Sequence, residues 1–211
     1  MNKTTKLLLG ATMVTIIIGS GFLIAQKPND LDSDKNDPSS SNIEDFQTEN
    51  LEIENNMEAT YENYVNQDFN IQISYPNTYE LQEGLMGILV FFFSPIESST
   101  DLFQENFNVM IQDLSAQPMS LEEYTDLSLG QIETVITDSE MISSKETILD
   151  GESAYEVIYT GTQGRYSLKW KQLWTVLDNK AYVLTSTSEV NEFDDYSEVF
   201  DTMFDSFEIS N

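Results

Sequence analysis

Short apolar segments, separated by turn-forming residues, recur from residue 67 to the C-terminus and dictate most of what this chain can fold into. Within residues 69–74 apolar and polar side chains alternate, which is the period of two that a half-buried β-strand shows. The dipeptides Asp150-Gly151 and Asp178-Asn179 separate longer segments and are typical of hairpin turns. The nearly continuous apolar segment 85–93 predicts a central strand that is buried on both faces. The predicted strands cover residues 69–74, 85–93, 107–114, 141–149, 154–159, 166–177 and 181–187.

Helical spacing replaces this alternation in two places. Ser120 and Glu123 have the spacing of a capping box, and apolar residues follow at helical intervals. A second amphipathic helix is predicted from Glu192 to Ser206. Residues 207–209 are expected to close the sheet as a short last strand. The order of elements predicts an α+β domain over residues 67–211, with an antiparallel β-sheet of about six to seven strands flanked by helices.

The N-terminal segment, residues 1–27, contains no acidic residue. A charge-free run from Leu7 to Ala25 follows Lys3 and Lys6, and its 19 residues are enough to cross a bilayer as a helix. We expect a retained transmembrane signal anchor in preference to a cleaved signal peptide. The two lysines then place the N-terminus in the cytoplasm. The C-terminal domain is expected outside a cell membrane that the chain crosses once, or secreted if the segment is cleaved.

Residues 28–66 carry eleven acidic residues and one lysine. So few apolar residues cannot offset the entropy of ordering, and the segment is predicted to be an acidic, disordered linker. Residues 30–36 place oxygen ligands at alternate positions, as a calcium loop does. The glycine and glutamate that an EF-hand loop needs are replaced by Lys35 and Ser41, which favours a solvated linker over a calcium site.

Charge and composition exclude several classes of function. With 9 basic and 37 acidic residues the formal charge is −28, and the chain has no histidine and no cysteine. Binding to nucleic acid is therefore not expected, because it needs a basic surface. Ser–His and Cys–His couples, thiol chemistry and His- or Cys-based metal sites are impossible. We predict that the protein is not an enzyme, with no cofactor, and assign no catalytic, cofactor-binding or metal-ligating residue.

Three groups of side chains still deserve a functional hypothesis beside a structural one. A cluster of Arg165, Lys169 and Lys171 either binds an acidic partner or balances nearby acids. Trp170 and Trp174 share one face of a strand and either stack on a ligand or pack in the core against the terminal helix. The polar face of the last helix either supplies paired carboxylates to a glycosidase or cation site or is simply solvated. The acids of that face are Glu192, Asp194, Asp195, Glu198, Asp201 and Asp205.

The order of these segments resembles PsbP-like domains over nearly all of residues 67–211. The resemblance rests on a first strand that ends in Tyr75-Pro76, on the apolar segment 85–93 with Ser94-Pro95, and on a strand that begins at Phe107. Further matching segments are residues 121–124, 149–155 and 204–207. The resemblance implies an α/β/α sandwich around an antiparallel sheet. It also implies a largely non-enzymatic protein that binds membrane complexes or other proteins, without implying a photosynthetic role.

Together these observations predict a non-enzymatic, extracytoplasmic binding or scaffold domain. It would be tethered through the N-terminal helix and would contact a protein of the membrane or cell envelope. Two alternatives remain from other classes of function. One is a carboxylate-based hydrolase of envelope glycans, and the other is a carrier of a small ligand or divalent cation.

Overall fold

The structure is a computed structural model that describes residues 60–210. Within these residues ten strands form two antiparallel sheets, and a helix packs on each face of the larger sheet. In chain order the elements are β1 (Tyr61–Asn66), β2 (Ile71–Pro76), β3 (Glu80–Glu83), β4 (Val90–Phe93), β5 (Asn106–Asp113), α1 (Leu121–Val135), β6 (Thr137–Leu149), β7 (Glu152–Gln163), β8 (Tyr166–Leu177), β9 (Lys180–Glu189), α2 (Phe193–Asp205) and β10 (Glu208–Ile209). The larger sheet has seven strands in the order β3-β4-β5-β9-β8-β7-β6, and the smaller has the order β1-β2-β10.

Tight turns set the register of the long C-terminal strands. Asp150 and Gly151 join β6 to β7 with φ values of 49° and 83°. Asp178 and Asn179 join β8 to β9 with φ values of 49° and 57°. Two consecutive residues with positive φ are what a type I′ turn requires, and its twist matches the twist of the paired strands. The hairpins predicted at both dipeptides are confirmed.

Alternation along each strand divides the core between the two faces of the seven-stranded sheet. Trp170 and Trp174 of β8 belong to the cluster beneath α1, whereas Leu173 belongs to the cluster beneath α2. The smaller sheet packs on the α2 side, because Ile71 and Ile73 of β2 lie in the same cluster as Leu173. The predicted α+β class, with a sheet of six to seven antiparallel strands between helices, is confirmed.

The first described strand, β1, begins before residue 67, where the sequence predicted the start of the domain. Residues 61–66 were assigned to the acidic linker, but they form β1 and pair with β2 from Tyr61 opposite Pro76 to Asn66 opposite Ile71. Only one side chain of β1, that of Tyr64, is buried. Because a strand with one buried side chain has no apolar alternation, composition alone could not distinguish it from the linker.

The apolar segment 85–93 is not one strand. Gly84, Met86 and Gly87 all have positive φ, at 67°, 54° and 83°. These residues reverse the chain around a 3-10 turn, so that β3 and β4 form a hairpin. Only Val90–Phe93 are extended. All four side chains are buried as predicted, although β4 lies second from the edge and the central strand is β9.

The last strand pairs with a different partner from the one expected. Residues 207–209 were expected to close the main sheet, but β10 pairs with β2 of the smaller sheet. The backbone N–H of Ile209 also donates a hydrogen bond to Asp150 Oδ2, in the turn between β6 and β7, at 2.7 Å. The C-terminus therefore ties the smaller sheet to the β6–β7 turn.

Gly161 marks the place where the end of α1 passes closest to β7. A methyl group at this position would lie 2.2 Å from Ile136 Cγ2 and 3.0 Å from the backbone oxygen of Thr137. Ile136 is itself buried, so neither neighbour can move freely. We expect Gly161→Ala to lower the free energy of unfolding by about 1–3 kcal/mol, measured by urea denaturation. Gly130→Ala, in an open helical position, is the matched control, and an equal effect of both changes would contradict this account.

Candidate functional site

Lys171, which the sequence placed in a basic cluster, is neutralised within the fold. Its Nζ lies 2.8 Å from Asp201 Oδ1 on α2 and 3.3 Å from Glu156 Oε2 on β7. Lys145 Nζ lies 3.0 Å from the other oxygen of Glu156. Burial alone would lower the pKa of Lys171, but its hydrogen bond to Asp201 and the charge of Glu156 raise it. The structural hypothesis, that these bases balance nearby acids, fits this geometry.

The other two bases of the cluster are also held by neighbours. Lys169 Nζ lies 3.9 Å from the ring centroid of Phe193 and 4.0 Å from Asp194 Oδ1. Arg165 Nη2 donates to Tyr166 Oη at 2.7 Å. Lys169 and Lys171 are thus engaged with α2, whereas Arg165 stays exposed beside Tyr166, so the three residues do not form one open basic patch. These contacts also show that two acids of the last helix, Asp194 and Asp201, serve as partners for β8.

The two tryptophans are core residues, as the structural hypothesis proposed, but they face the other helix. Trp170 stacks on Tyr159 with ring centroids 5.1 Å apart. Trp174 Nε1 donates to Thr125 Oγ1 on α1 at 2.9 Å. The expected packing against the terminal helix is therefore wrong, because the even-numbered positions of β8 point toward α1. Both side chains are at most 1% exposed, so they cannot stack on an outside ligand.

A strongly acidic pocket lies where the loop after β4 meets the start of α2. We call it the acidic pocket, and its volume is about 340 Å³. Tyr196 of α2 stands nearby and donates from its hydroxyl to Glu97 Oε1 at 2.5 Å. Burial, followed by the charges of Glu192 and Asp101, raises the pKa of Glu189. The lining residues are Glu97, Ser98, Thr100, Asp101, Leu102, Tyr166, Glu189 and Glu192.

Glu105 is the least expected residue near this pocket, because its carboxyl is fully buried. Burial, then the hydrogen bond and negative charge of Glu192, raise the pKa of Glu105 to about 8. The backbone N–H of Glu189 donates to Glu105 Oε1 at 3.4 Å. Burial beside Glu192 therefore favours the protonated form of Glu105 at neutral pH. A glutamate that directly precedes a strand gives no sequence signal of burial, so sequence reasoning missed it.

This carboxyl pair does not provide the geometry of a glycosidase. Two catalytic carboxyls are separated by roughly 5–10 Å so that a sugar or a water fits between them. Glu105 is instead fully buried, so a sugar cannot reach the space between it and Glu192. Within residues 60–210 no group of three or more acidic side chains is arranged to hold a metal ion. The acidic pocket can attract a positive charge, and Glu105 does not supply it with an accessible carboxylate.

A wide groove lies between α1 and the edge of the main sheet, and we call it the edge groove. Its volume is about 630 Å³. Acidic side chains enter from both walls, Glu122 and Asp126 from α1 and Glu146 from β6, and all three are exposed. Leu121, Leu129 and Tyr155 supply apolar surface. The full lining is Ser120, Leu121, Glu122, Thr125, Asp126, Leu129, Glu146, Thr147, Ser153, Ala154 and Tyr155.

Strand β6 forms the outer border of the edge groove and is the last strand of the seven-stranded sheet. It is 13 residues long and pairs only with β7 among the described strands. Ile142 is 53% exposed and Ile148 is 68% exposed. A long edge strand with exposed apolar side chains presents free backbone donors and acceptors to another chain. Sequence periodicity predicted the strand but could not show that it lies at an edge.

The inner wall of the edge groove depends on the cap of α1. The backbone N–H of Glu123 donates to Ser120 Oγ at 3.2 Å, and the backbone N–H of Ser120 donates to Glu123 Oε2 at 2.9 Å. The predicted capping box is therefore confirmed. We expect Ser120→Ala to lower the free energy of unfolding by about 1 kcal/mol, measured by thermal denaturation. Ser115→Ala, in the preceding loop, is the control, and a full effect there would contradict the role of the cap.

Comparison with known proteins settles the family. The sequence model of the PsbP family matches residues 59–209. The chain belongs to the PsbP family. This match starts two residues before β1, so the PsbP domain includes the strand that was predicted to belong to the linker. The resemblance drawn from the segment order is confirmed, and no curated protein matches the chain.

Solved structures share the PsbP fold at low sequence identity. Cyanobacterial PsbP from Synechocystis is 18% identical, with a TM-score of 0.54 over 72% of this chain and 94% of that chain. LpqN, described as involved in cell envelope biogenesis of Mycobacterium tuberculosis, is 11% identical, with a TM-score of 0.55 over 73% and 92% of the two chains. A putative regulator of unknown function from Pseudomonas aeruginosa is 11% identical, with a TM-score of 0.50 over 69% and 94%. At these identities the likeness shows the fold alone.

The predicted membrane anchor at residues 1–27 and the segment at residues 30–36 that was compared with a calcium loop lie outside the described residues. So does the predicted acidic linker up to residue 59. In the PsbP domain itself, neither α1 nor α2 combines the length and the apolar character that a membrane-crossing helix needs. The three interpretations of the N-terminal segments stay predictions.

Proposed function

We propose that this PsbP-family protein is a non-enzymatic binding or scaffold module that is held outside the cytoplasmic membrane by residues 1–27. Its partner is a protein of the membrane or cell envelope. The observation that carries the proposal is the edge groove together with the unpaired edge of β6 beside it. In the described part of the chain, these two features form a surface on which another protein can dock. Acidic walls and exposed isoleucines provide both charge and apolar area for such a contact.

Two other observations support a binding role in the envelope. The family membership is shown by sequence, and its fold relatives include LpqN, which is described as involved in cell envelope biogenesis. The charge-free run of 19 residues has the length of a membrane span. The linker up to residue 59 contains ten acidic residues, so it is self-repelling and would hold the domain away from the lipid surface.

Cell fractionation tests the location. We expect the protein in the membrane fraction, and we expect protease added outside spheroplasts to remove the domain. Recovery of an intact, protease-protected protein from the soluble cytoplasm would reject the proposal. Deletion of residues 1–27 should move the protein out of the membrane fraction.

Site-specific crosslinking tests the binding role. A photo-reactive amino acid at Ser144, which is exposed on the outer strand β6, should give one discrete crosslinked product with an envelope protein. The same amino acid at the exposed Glu198 of α2 is the matched control and should not give that product. Equal products from both positions, or none from Ser144, would count against a specific contact at β6.

A further inference from the structure

We propose that β6 binds an extended, basic segment of the partner protein, which joins the main sheet as an eighth strand and inserts its lysine or arginine side chains into the edge groove. This inference rests on the proposed function and names the chemistry of its partner. It follows from three features of the described surface: the pairing of β6, the direction of its side chains and the charge around the groove.

The pairing of β6 leaves one straight stretch open to strand addition. Between Thr137 and Ser143 the register with β7 shifts twice, and from Ser143 to Leu149 it is regular. Seven residues at about 3.3 Å each give an edge of roughly 23 Å, which accommodates an extended segment of similar length. On the opposite side of the sheet, β3 has only four residues. The C-terminal half of β6 is therefore the better of the two edges for a new strand.

Alternate side chains of the C-terminal half of β6 point toward the edge groove. Glu146 and Ser144 lie opposite Tyr155 and Val157 of β7, and both of those β7 residues contact the core beneath α1. Glu146 and Ser144 consequently point to the α1 side, where the edge groove is. Because side chains alternate between the two faces of a strand, every second side chain of an added strand would also point toward the groove.

The negative charge of the edge groove favours basic side chains on the added strand. Glu122, Asp126 and Glu146 line the groove, whereas Lys145 lies on the opposite face and is paired with Glu156 at 3.0 Å. Lysine and arginine can place their ammonium or guanidinium groups near these carboxylates, with their aliphatic stems on Leu121 and Tyr155. The linker of this chain and a second copy of it are both strongly acidic. Like charges disfavour either as the occupant.

A synthetic peptide of nine alternating lysine and valine residues tests the proposal on the full-length protein in detergent micelles. We expect this peptide to bind at least tenfold more tightly than a peptide of alternating glutamate and valine. We also expect at least tenfold weaker binding when every backbone amide of the lysine peptide is N-methylated, since methylation removes the donors that strand pairing needs. Equal affinity of the methylated and unmethylated peptides would overturn strand addition.

A triple variant isolates the role of the groove. Glu122→Gln, Asp126→Asn and Glu146→Gln together keep the shape of the walls and remove their charge, so we expect at least a tenfold loss of affinity for the lysine peptide and a weaker dependence on salt. The triple variant Glu62→Gln, Glu80→Gln and Glu198→Gln removes the same charge elsewhere and is the control. Equal losses in both variants would show attraction by net charge alone and overturn the assignment to the edge groove.

Hydrogen exchange locates the bound peptide. We expect slower exchange of amides within residues 143–149 on addition of the lysine peptide, and unchanged exchange in β3, which serves as an internal control. Protection that misses residues 143–149 would overturn the proposal. If the peptide fails to bind while the crosslink from Ser144 persists, strand addition is wrong and the proposed function stands. If both fail, both are wrong.

Discussion

Replacement of Glu105 with glutamine is expected to stabilise the protein, and to do so more strongly as the pH rises from 5 to 8. The carboxyl is fully buried against Glu192, and its pKa is raised to about 8 from an ordinary value of 4.5. The folded state therefore binds more protons than the unfolded state throughout this range. Its stability falls with pH by up to about 1.4 kcal/mol per unit from this one group.

Glutamine reproduces the protonated side chain without the titration. Its carbonyl can accept the N–H of Glu189, as Glu105 Oε1 does, and its amide can donate to Glu192. We expect Glu105→Gln to raise the free energy of unfolding by roughly 2–3 kcal/mol at pH 7 and to leave it nearly unchanged at pH 4.

Urea denaturation at a series of pH values measures both effects. The control is the same substitution at the exposed Glu198 of α2. Glu198→Gln should not flatten the pH profile. A profile that keeps its full slope in Glu105→Gln would show that Glu105 is ionised in the folded state.

Replacement of Lys171 with methionine is expected to destabilise the protein by about 2–4 kcal/mol. The side chain of Lys171 is 16% exposed and that of Glu156 is 11% exposed. Methionine keeps the apolar stem, but it leaves the Glu156 carboxylate with Lys145 as its remaining partner. Most of the loss should come from this poorly solvated carboxylate, because Asp201 is 57% exposed and can be hydrated.

A double-mutant cycle separates the ion pair from packing. Adding Glu156→Gln to Lys171→Met should recover more than half of the loss, because the unpaired charge is then removed. Lys169→Met is the matched control on the same strand and should cost about 1 kcal/mol or less, since its ion partner Asp194 is 96% exposed. Equal losses at Lys169 and Lys171, or no recovery in the double variant, would contradict this interpretation.

Sequence signals within short segments predicted most elements of the fold. They failed for elements whose structure depends on contacts with distant parts of the chain. The I′ turns at Asp150 and Asp178 and the capping box at Ser120 are determined by neighbours in sequence, and all three were correct. β1 and β10 both pair with β2. The residues of β1 gave no signal of a strand, and those of β10 predicted a strand but not its partner. The prediction of one strand over residues 85–93 was wrong because apolar composition does not reveal a reversal of the chain direction. That reversal depends on the positive φ values of Gly84 and Gly87.

The candidate site was less predictable than the fold, because it depends on which strand ends at an edge. From the sequence, Lys169 and Lys171 could either bind an acidic partner or balance nearby acids, and only the packing of α2 over β8 shows that they pair with Asp194 and Asp201. Glu105 became unusual only when β9 and α2 enclosed it. The edge groove joins residues 120–129 to residues 146–155, and no pattern within either segment indicates that they face each other.

The last four strands of the large sheet form an uninterrupted meander, in which each strand is joined to the next by a short turn. Their contacts are local in sequence and can form with little loop-closure entropy. By contrast, β5 pairs with β9 although the paired residues Asp113 and Lys180 lie 67 positions apart in the sequence (180 − 113). Because closing this loop costs more entropy than closing the short turns, we expect the meander to form before β5 docks on it. Until β5 docks, the meander would expose both of its borders, at β6 and at β9, whereas the finished sheet covers β9 and leaves β6 at the edge.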